Sequence, residues 1–248
     1  MKKQEDIIYG RHPVEEALQS GRPLKKIILR QGLQDSRMEA IIQLAGEAGV
    51  PVEHRERAGM DRLAPRVNHQ GIVALAAPFA YASLDDLYGR AASREEDPFF
   101  LVLDHLQDPH NFGALLRTAE AVGVHGAIIP ERRSVGVTTG VYKASAGAVE
   151  HLPVAQVTNL ARTLEELKEK RVWVAGAHME GELIFNRADL KGPLALVLGG
   201  EGKGMSPLIK QKCDFLLRLP MAGQTPSLNV SVAGGILLYE IFRQRKAW

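Results

Sequence analysis

The chain has 248 residues, with 31 Lys+Arg against 29 Asp+Glu and a net charge of +2. Hydrophobic residues make up 45% and charged residues 24%, which excludes a disordered chain and a whole-protein cationic coat for nucleic acid. Cys213 is the one cysteine, which excludes a disulfide framework and a cysteine-built zinc site, and no apolar run approaches the ~18–20 residues that span a bilayer. The opening MKKQEDIIYG has no apolar core of the kind a secretory signal carries, so the expected location is the cytoplasm.

In chain order, residues 12–19 (HPVEEALQ) predict a short helix with Pro13 in its first turn and Gly21 just past its end. KKIILR, residues 25–30, predicts a strand. Residues 36–49 predict an amphipathic helix capped by Ser36, with Met38, Ile41, Ile42 and Ala45 on one face and Gly49 as its stop. PVEHR reads as a short strand, RAGMDRLA as a helix and GIVALAA, residues 71–77, as a strand. This alternation describes a small α/β domain over residues 1–77. Lys2, Lys3, Arg11, Lys25, Lys26 and Arg30 make it locally basic, with acids nearby that offset most of the charge. Residues 78–97 hold five acids against two bases and no sustained apolar periodicity, and read as a linker with a short helix near Leu84–Leu87.

The second domain, residues 98–248, opens on PFFLVLD, a continuous apolar run expected of a strand buried on both faces. A helix over about 111–122 follows, with Asn111 as cap and Gly123 as stop. GVHGAIIP, VWVAGAHM (172–179), LALVLGG (194–200) and DFLLRLP (214–220) read as strands. LARTLEELKEK (160–170), SPLIKQK with Ser206 and Pro207 at its start, and residues 229–244 read as helices. The order predicts a largely parallel sheet with helices on both faces, whose ligands bind beyond the carboxyl ends of the strands.

Three segments follow predicted strands: 103–130, 196–206 and 219–244. If those strands are parallel neighbours, the three fall at one sheet edge. In the second, LVLGGEGKGMS, Lys203 is followed by Gly204 and Val197 stands where a Walker loop has glycine. Met205 likewise breaks the dinucleotide fingerprint, so neither known phosphate loop fits. Four glycines within six residues still let backbone approach a ligand, as they also suit a plain strand-to-helix turn, and Glu201 is the one acid there. In the first segment Asn111 and Arg117 lie nearly two helical turns apart, a spacing read as one side of the helix. Arg117 among Ala114, Leu115, Leu116 and Ala119 is equally readable as a snorkelling or salt-bridged arginine. Ser227 and Asn229 precede an apolar helix, where both residue types also serve as caps. His105 and His110 share a loop without a third metal ligand at recognisable spacing, so no metal site is expected. Cys213 reads as a small buried residue rather than a nucleophile.

Together DPHNFGALLRTAEAVG, LVLGGEGKGMS and LPMAGQTPSLNVSVAGGILLYE resemble the three motifs of the SpoU (TrmH-type) RNA 2'-O-ribose methyltransferases of the SPOUT superfamily. IYGRHPVEEAL resembles the amino-terminal substrate-binding domain of the subgroup that methylates a guanosine of bacterial 23S rRNA. The resemblance implies a carboxyl-terminal trefoil knot, bound S-adenosylmethionine and a homodimer in which both subunits shape the site. By motif position it implies Asn111, Arg117, Glu201, Ser227 and Asn229 as the catalytic set. It implies Gly199, Gly200, Gly202, Leu219, Met221, Ser227 and Leu228 around the cofactor, with RNA as partner and neither metal nor membrane. The same chemistry on tRNA or on an antibiotic-binding rRNA site, and a non-catalytic ribosome-assembly factor, are the alternatives.

The implied reaction needs the proton of a poor nucleophile, a sugar hydroxyl, to leave as the methyl arrives in line. The family proposal makes the motif-one arginine the base, yet a guanidinium ordinarily has a pKa above about 12. Positioning and alkoxide stabilisation by Arg117, with Glu201 or solvent taking the proton, is the physically least costly reading.

Overall fold

A computed structural model of the chain describes residues 6–33, 35–65, 67–202, 204–225 and 227–246. Lys2, Lys3 and Lys203, used above in the charge and phosphate-loop arguments, lie outside these. The chain divides into two compact units, Met1–Ala80 with Val137–His151, and Tyr81–Gly136 with Leu152–Trp248.

The first unit holds strands β1 (Asp6–Tyr9), β2 (Leu24–Arg30), β3 (Val52–Arg55) and β4 (Ile72–Ala76) in the order β1-β4-β2-β3. β4 is antiparallel to β1 and β2, whereas β2 and β3 are parallel and are joined by a crossover helix. Its helices are α1 (Arg11–Gln19), α2 (Ser36–Glu47) and α3 (Arg57–Leu63). Asp35, not Ser36, caps α2: its carboxylate accepts the Met38 N–H at 3.1 Å. Met38, Ile41 and Ala45 are buried as expected, but Ile42 is 40% exposed, because one residue beyond Ile41 turns about 100° away from the core.

Residues 137–151, expected in the second domain, pack in this first unit, as a helix (Thr139–Ala144) and a 3-10 turn (Ala148–Glu150). A buried arginine explains it. The Arg22 guanidinium donates to Glu150 at 3.1 Å, to Asp6 at 2.9 Å and to the Ala77 carbonyl at 2.9 Å, with its carbon 4.4 Å from the Tyr142 ring centroid. Burial pulls the Arg22 pKa down and the Glu150 pKa up, so each charge depends on the other.

The second unit is a seven-stranded sheet of β5 (Phe99–Asp104), β6 (Gly126–Pro130), β7 (Val154–Val157), β8 (Trp173–Ala177), β9 (Leu183–Ile184), β10 (Leu194–Gly199) and β11 (Phe215–Arg218). The order is β7-β6-β5-β10-β8-β11-β9 and every pairing is parallel. Its helices are α4 (Leu84–Ser93), α5 (Pro109–Ala121), α7 (Leu160–Glu169), α8 (Pro207–Lys212) and α9 (Val230–Lys246), with α6 the Thr139–Ala144 helix of the first unit. All six residues of β5 are buried, as a central strand covered on both faces requires. The expected linker is instead largely α4: Ser83 and Asp86 form a capping box, and Leu87 and Ala91, one turn apart, are buried. Leu87 sits so close over Gly126 that a Cβ there would stand 2.2 Å from its Cγ.

His125 is wholly buried: its Nδ1 accepts the Phe99 N–H at 3.0 Å and its Nε2 faces Glu96 Oε2 at 3.1 Å. An accepting Nδ1 fixes the neutral ring, and burial lowers the His125 pKa against the opposing pull of Glu96. Lys246 and His125 hold the Glu96 carboxylate below its usual range.

Two stability predictions arise here. Removing Arg22 leaves Glu150 buried without a counter-charge, so Arg22→Met costs about 3–5 kcal/mol in denaturant unfolding, and adding Glu150→Gln restores much of it. For His125, the unfolded ring takes a proton near 6.5 while the folded ring takes it only at lower pH. Stability is therefore fully present above that range and falls as pH drops through it. Thermal unfolding from pH 8 to 5 shows this slope in the wild type and a shallower one in His125→Asn, which keeps an acceptor for Phe99 but has no proton to take up.

Candidate active site

Because every pairing in the second sheet is parallel, the carboxyl ends of β5, β10 and β11 lie at one edge. The three motif segments start there. β10 runs beside β5 with Gly199 opposite Asp104. Asp104 then pins both ends of the glycine loop: its carbonyl accepts the Gly200 N–H at 2.8 Å and its Oδ2 accepts the Ser206 N–H at 2.7 Å. Its Oδ1 lies 2.5 Å from His105 Nδ1. Sequence reasoning passed over Asp104; the signal is a carboxylate closing an otherwise apolar strand.

The loop folds back on itself, with the Gly204 N–H on the Gly200 carbonyl at 3.0 Å. A Cβ on Gly199 would stand 2.0 Å from Gly204 backbone, and one on Gly200 would stand 2.4 Å from the His105 carbonyl oxygen. These two glycines are needed for close backbone packing, so the segment is a built turn rather than a slack one. Gly202 and Gly204 have positive φ and open space where a side chain would project.

The helix after β5 begins at Pro109, with Asp108 as cap accepting from the His110 N–H at 3.0 Å. Asn111, expected as the cap, therefore lies inside the first turn and its side chain is free to do something else. Its Nδ2 donates to Glu201 Oε1 in a short contact, and its Oδ1 accepts from Asn229 Nδ2 at 3.0 Å. Asn229 Oδ1 in turn accepts from the Ser231 N–H at 2.9 Å and from Ser231 Oγ at 2.6 Å. One amide thus joins all three motif segments. α9 reaches this point because Gly234 admits Leu115 and Leu198, whose methyls would stand 2.4 and 2.6 Å from a Cβ.

Arg117 and Ser227 stand apart from this cluster. Six residues along a helix leave Arg117 about 120° round from Asn111, so the spacing does not put both on one side. Arg117 is exposed, and its guanidinium makes no hydrogen bond or ion pair among the described residues. Ser227 is also exposed. Of the apolar residues in the third segment, Leu219 is half-buried, and Met221 and Leu228 are 42% and 37% exposed. Cys213 donates to the Ile209 carbonyl at 3.4 Å, and burial pushes its pKa up to about 12, which leaves no thiolate for nucleophilic chemistry. Among the described residues no group of three His, Cys, Asp or Glu side chains is placed to hold a metal, and no helix is long and apolar enough to cross a membrane.

An all-parallel sheet with a closed glycine turn and an Asn–Glu–Asn cluster at its carboxyl edge defines an α/β protein whose three motif segments meet at that edge. Residues 98–239 match the SpoU rRNA Methylase family, and residues 7–82 match the RNA 2'-O ribose methyltransferase substrate binding family. The chain belongs to the SpoU family of RNA methyltransferases. YacO of Bacillus subtilis (strain 168), whose name places it in the TrmH family of tRNA/rRNA methyltransferases, is 50% identical over 245 residues, covering 99% of this chain and 98% of YacO. The crystal structure of an rRNA methyltransferase from Sinorhizobium meliloti superposes with TM-score 0.81 at 25% identity, over 98% of this chain and 88% of that one. The TrmH/SpoU tRNA modifying enzyme of A. aeolicus is 32% identical with TM-score 0.55, over 61% of this chain and 76% of that one.

Because Asn111 links two loops, Asn111→Ala costs about 1–2 kcal/mol in thermal or denaturant unfolding. Hydrogen exchange read by mass spectrometry rises in both the 200–206 and 227–231 segments, while β5 and β10 keep their protection.

Proposed function

We propose that this chain transfers the methyl group of S-adenosylmethionine to a ribose 2'-hydroxyl of RNA, with a guanosine of 23S rRNA as the target. The observation that carries the reading is the Asn111 side chain bonded to Glu201 and to Asn229, which gathers three strand-end segments into one site.

The sheet edge fits the methyl donor. Leu219, Met221 and Leu228 offer apolar surface to a purine, Gly202 and Gly204 leave backbone open, and Glu201 supplies a carboxylate toward a cationic sulfur. Gly199, Gly200, Gly202, Leu219, Met221, Ser227 and Leu228 would hold the donor, which when bound supplies an activated methyl on positively charged sulfur.

The chain's own residues do the rest. Asn111 takes Glu201 Oε1, which orients the carboxylate and leaves Oε2 for the proton of the ribose hydroxyl. Asn229, held by Asn111 and Ser231, fixes the third segment over the sugar. Ser227 adds a hydroxyl at the substrate side. Arg117, whose guanidinium donors have no partner among the described residues, holds an RNA phosphate and stabilises the developing alkoxide.

The catalytic half is assigned the trefoil knot of its family, supported by α9 returning from β11, two strands away, to pack on α5 and β10. The working form is a homodimer. Val232, Ile236 and Tyr239 are 50%, 39% and 50% exposed at spacings of four and three residues, an apolar stripe along α9 of the kind a second copy covers. Residues 1–77, the larger part of the first unit, are assigned to RNA binding, in line with the family match over 7–82. The full-length match to an rRNA enzyme, beside a partial match to a tRNA enzyme, favours rRNA. Such a substrate places the protein in the cytoplasm.

Mapping 2'-O-methylated positions in rRNA and tRNA from cells with and without the protein tests the substrate. Loss of one 23S guanosine methyl is expected; loss at a tRNA position, or no loss anywhere, overturns the rRNA assignment. With tritiated methyl donor, Arg117→Ala loses at least about 100-fold in turnover, while donor affinity by calorimetry stays within about 2-fold of wild type. Near-normal turnover removes Arg117 from the mechanism. In sedimentation the wild type runs at twice the chain mass, and Ile236→Glu with Tyr239→Glu runs as a monomer.

A further inference from the structure

The first unit contains a groove of about 780 Å³ that lies wholly within it. Four guanidiniums line it from four separate elements: Arg11 opens α1, Arg30 ends β2, Arg37 is second in α2 and Arg57 opens α3. Only folding brings them together. Arg11 pairs with Asp35 at 2.8 Å and Arg37 with Glu15 at 2.8 Å, while Arg57 stands 3.9 Å from Asp61. The Arg30 backbone N–H donates to the Gly71 carbonyl at 2.9 Å, while its guanidinium makes no hydrogen bond or ion pair among the described residues. Among the described residues, setting Asp35, Glu15 and Asp61 against the four arginines leaves the Arg30 guanidinium as the one without a carboxylate partner.

The groove wall formed by residues 68–71 is held rigidly. Asn68 Oδ1 accepts the Gln70 N–H at 3.2 Å, and Gln70 Oε1 accepts the Arg11 N–H at 3.2 Å. His69 Nδ1 accepts the Gly71 N–H at 3.1 Å, which leaves its Nε2 to donate to Asp61 Oδ1 at 3.1 Å. Gly71 has φ +82° and lies where a Cβ would stand 2.4 Å from Leu33 Cδ2. Both amide oxygens are thus engaged by backbone, which turns the NH₂ groups of Asn68 and Gln70 into remaining donors. A surface of guanidiniums and amide donors, with one guanidinium lacking a carboxylate partner, suits a phosphodiester and the acceptor edges of its bases, since guanidinium binds phosphate through paired N–H groups.

We propose that this arginine-lined groove is where the first unit grips an unpaired stretch of the RNA substrate, with Arg30 on a phosphate and Asn68 and Gln70 on base acceptors. The proposal rests on the reading of the chain as an RNA methyltransferase, and its test uses binding rather than methyl transfer. The probe is a 23S rRNA transcript in filter binding, titrated at several KCl concentrations. Arg30→Ala weakens binding about 5-fold and lowers the salt slope by about 0.7, the value for one phosphate contact on a single strand. Arg30→Ala with Arg57→Ala lowers it further. Asp61→Asn keeps an acceptor for His69 but removes the opposing charge, and so tightens binding, a change that loss of folding does not produce. Affinity for S-adenosylmethionine stays at the wild-type value in all three.

Wild-type affinity and slope in these variants overturn the groove, as does a wild type that does not bind the transcript. Displacement of the transcript by polyglutamate as readily as by poly(U) also overturns it, in favour of an acidic protein. If Arg30→Ala unfolds, Asp61→Asn decides: tighter binding supports the groove and unchanged binding overturns it. A wild type that grips the transcript through these residues yet transfers no methyl sinks the proposed activity and leaves the groove standing.

Discussion

β10 lies beside β5 in parallel register, and that single pairing sets Gly199 against Asp104. Everything at the candidate site follows from it. A buried carboxylate at the end of an apolar strand has to find donors, and Asp104 finds one in the N–H of Ser206, while its carbonyl takes that of Gly200. The glycine loop is thereby closed at both ends, and Glu201 is carried to the start of α5, where Asn111 meets it. A strand paired elsewhere would leave the acid, the amide and the loop in different places.

The site is consequently a product of backbone geometry more than of side-chain charge. Gly199 and Gly200 have backbone where a side chain would go, and Gly234 has the side chains of Leu115 and Leu198. Each allows one segment to approach another closely enough for a single amide to span three motifs. Among the described residues, the Arg117 guanidinium on α5 and the Ser227 hydroxyl before α9 make no hydrogen bond, and Met221, Leu228, Val232, Ile236 and Tyr239 are exposed. Internal bonding and outward-facing side chains divide the same three segments between them.

The first unit follows a parallel logic with charge in place of glycine. Arg22 is buried against two carboxylates and a tyrosine ring, and this draws residues 137–151 onto the small sheet. Arg11, Arg30, Arg37 and Arg57 are drawn out instead, onto a groove held rigid by the 68–71 turn. Arginine serves as a structural ion in one place and as surface donor in the other, and burial decides which.

Much was legible in the residues themselves. The apolar run at 99–104, the periodicity of 36–47 and 160–169, and the order of strands and helices foretold a largely parallel sheet, because burial on two faces and on one face leave different patterns in a chain. The three motif segments were visible as polar breaks after apolar strands, and they stood out well enough to suggest the family. Tertiary structure decided the rest. It moved the cap from Asn111 to Asp108, so that Asn111 became the link between Glu201 and Asn229. It turned the expected linker into α4, whose two buried residues are too few to show as a period, and it took residues 137–151 into the other unit. It also revealed Asp104, which reads as the end of a strand until its partners, about one hundred residues away, are in place. Local sequence carries propensity and burial pattern; which distant donor satisfies a buried acceptor is settled only when the chain closes on itself.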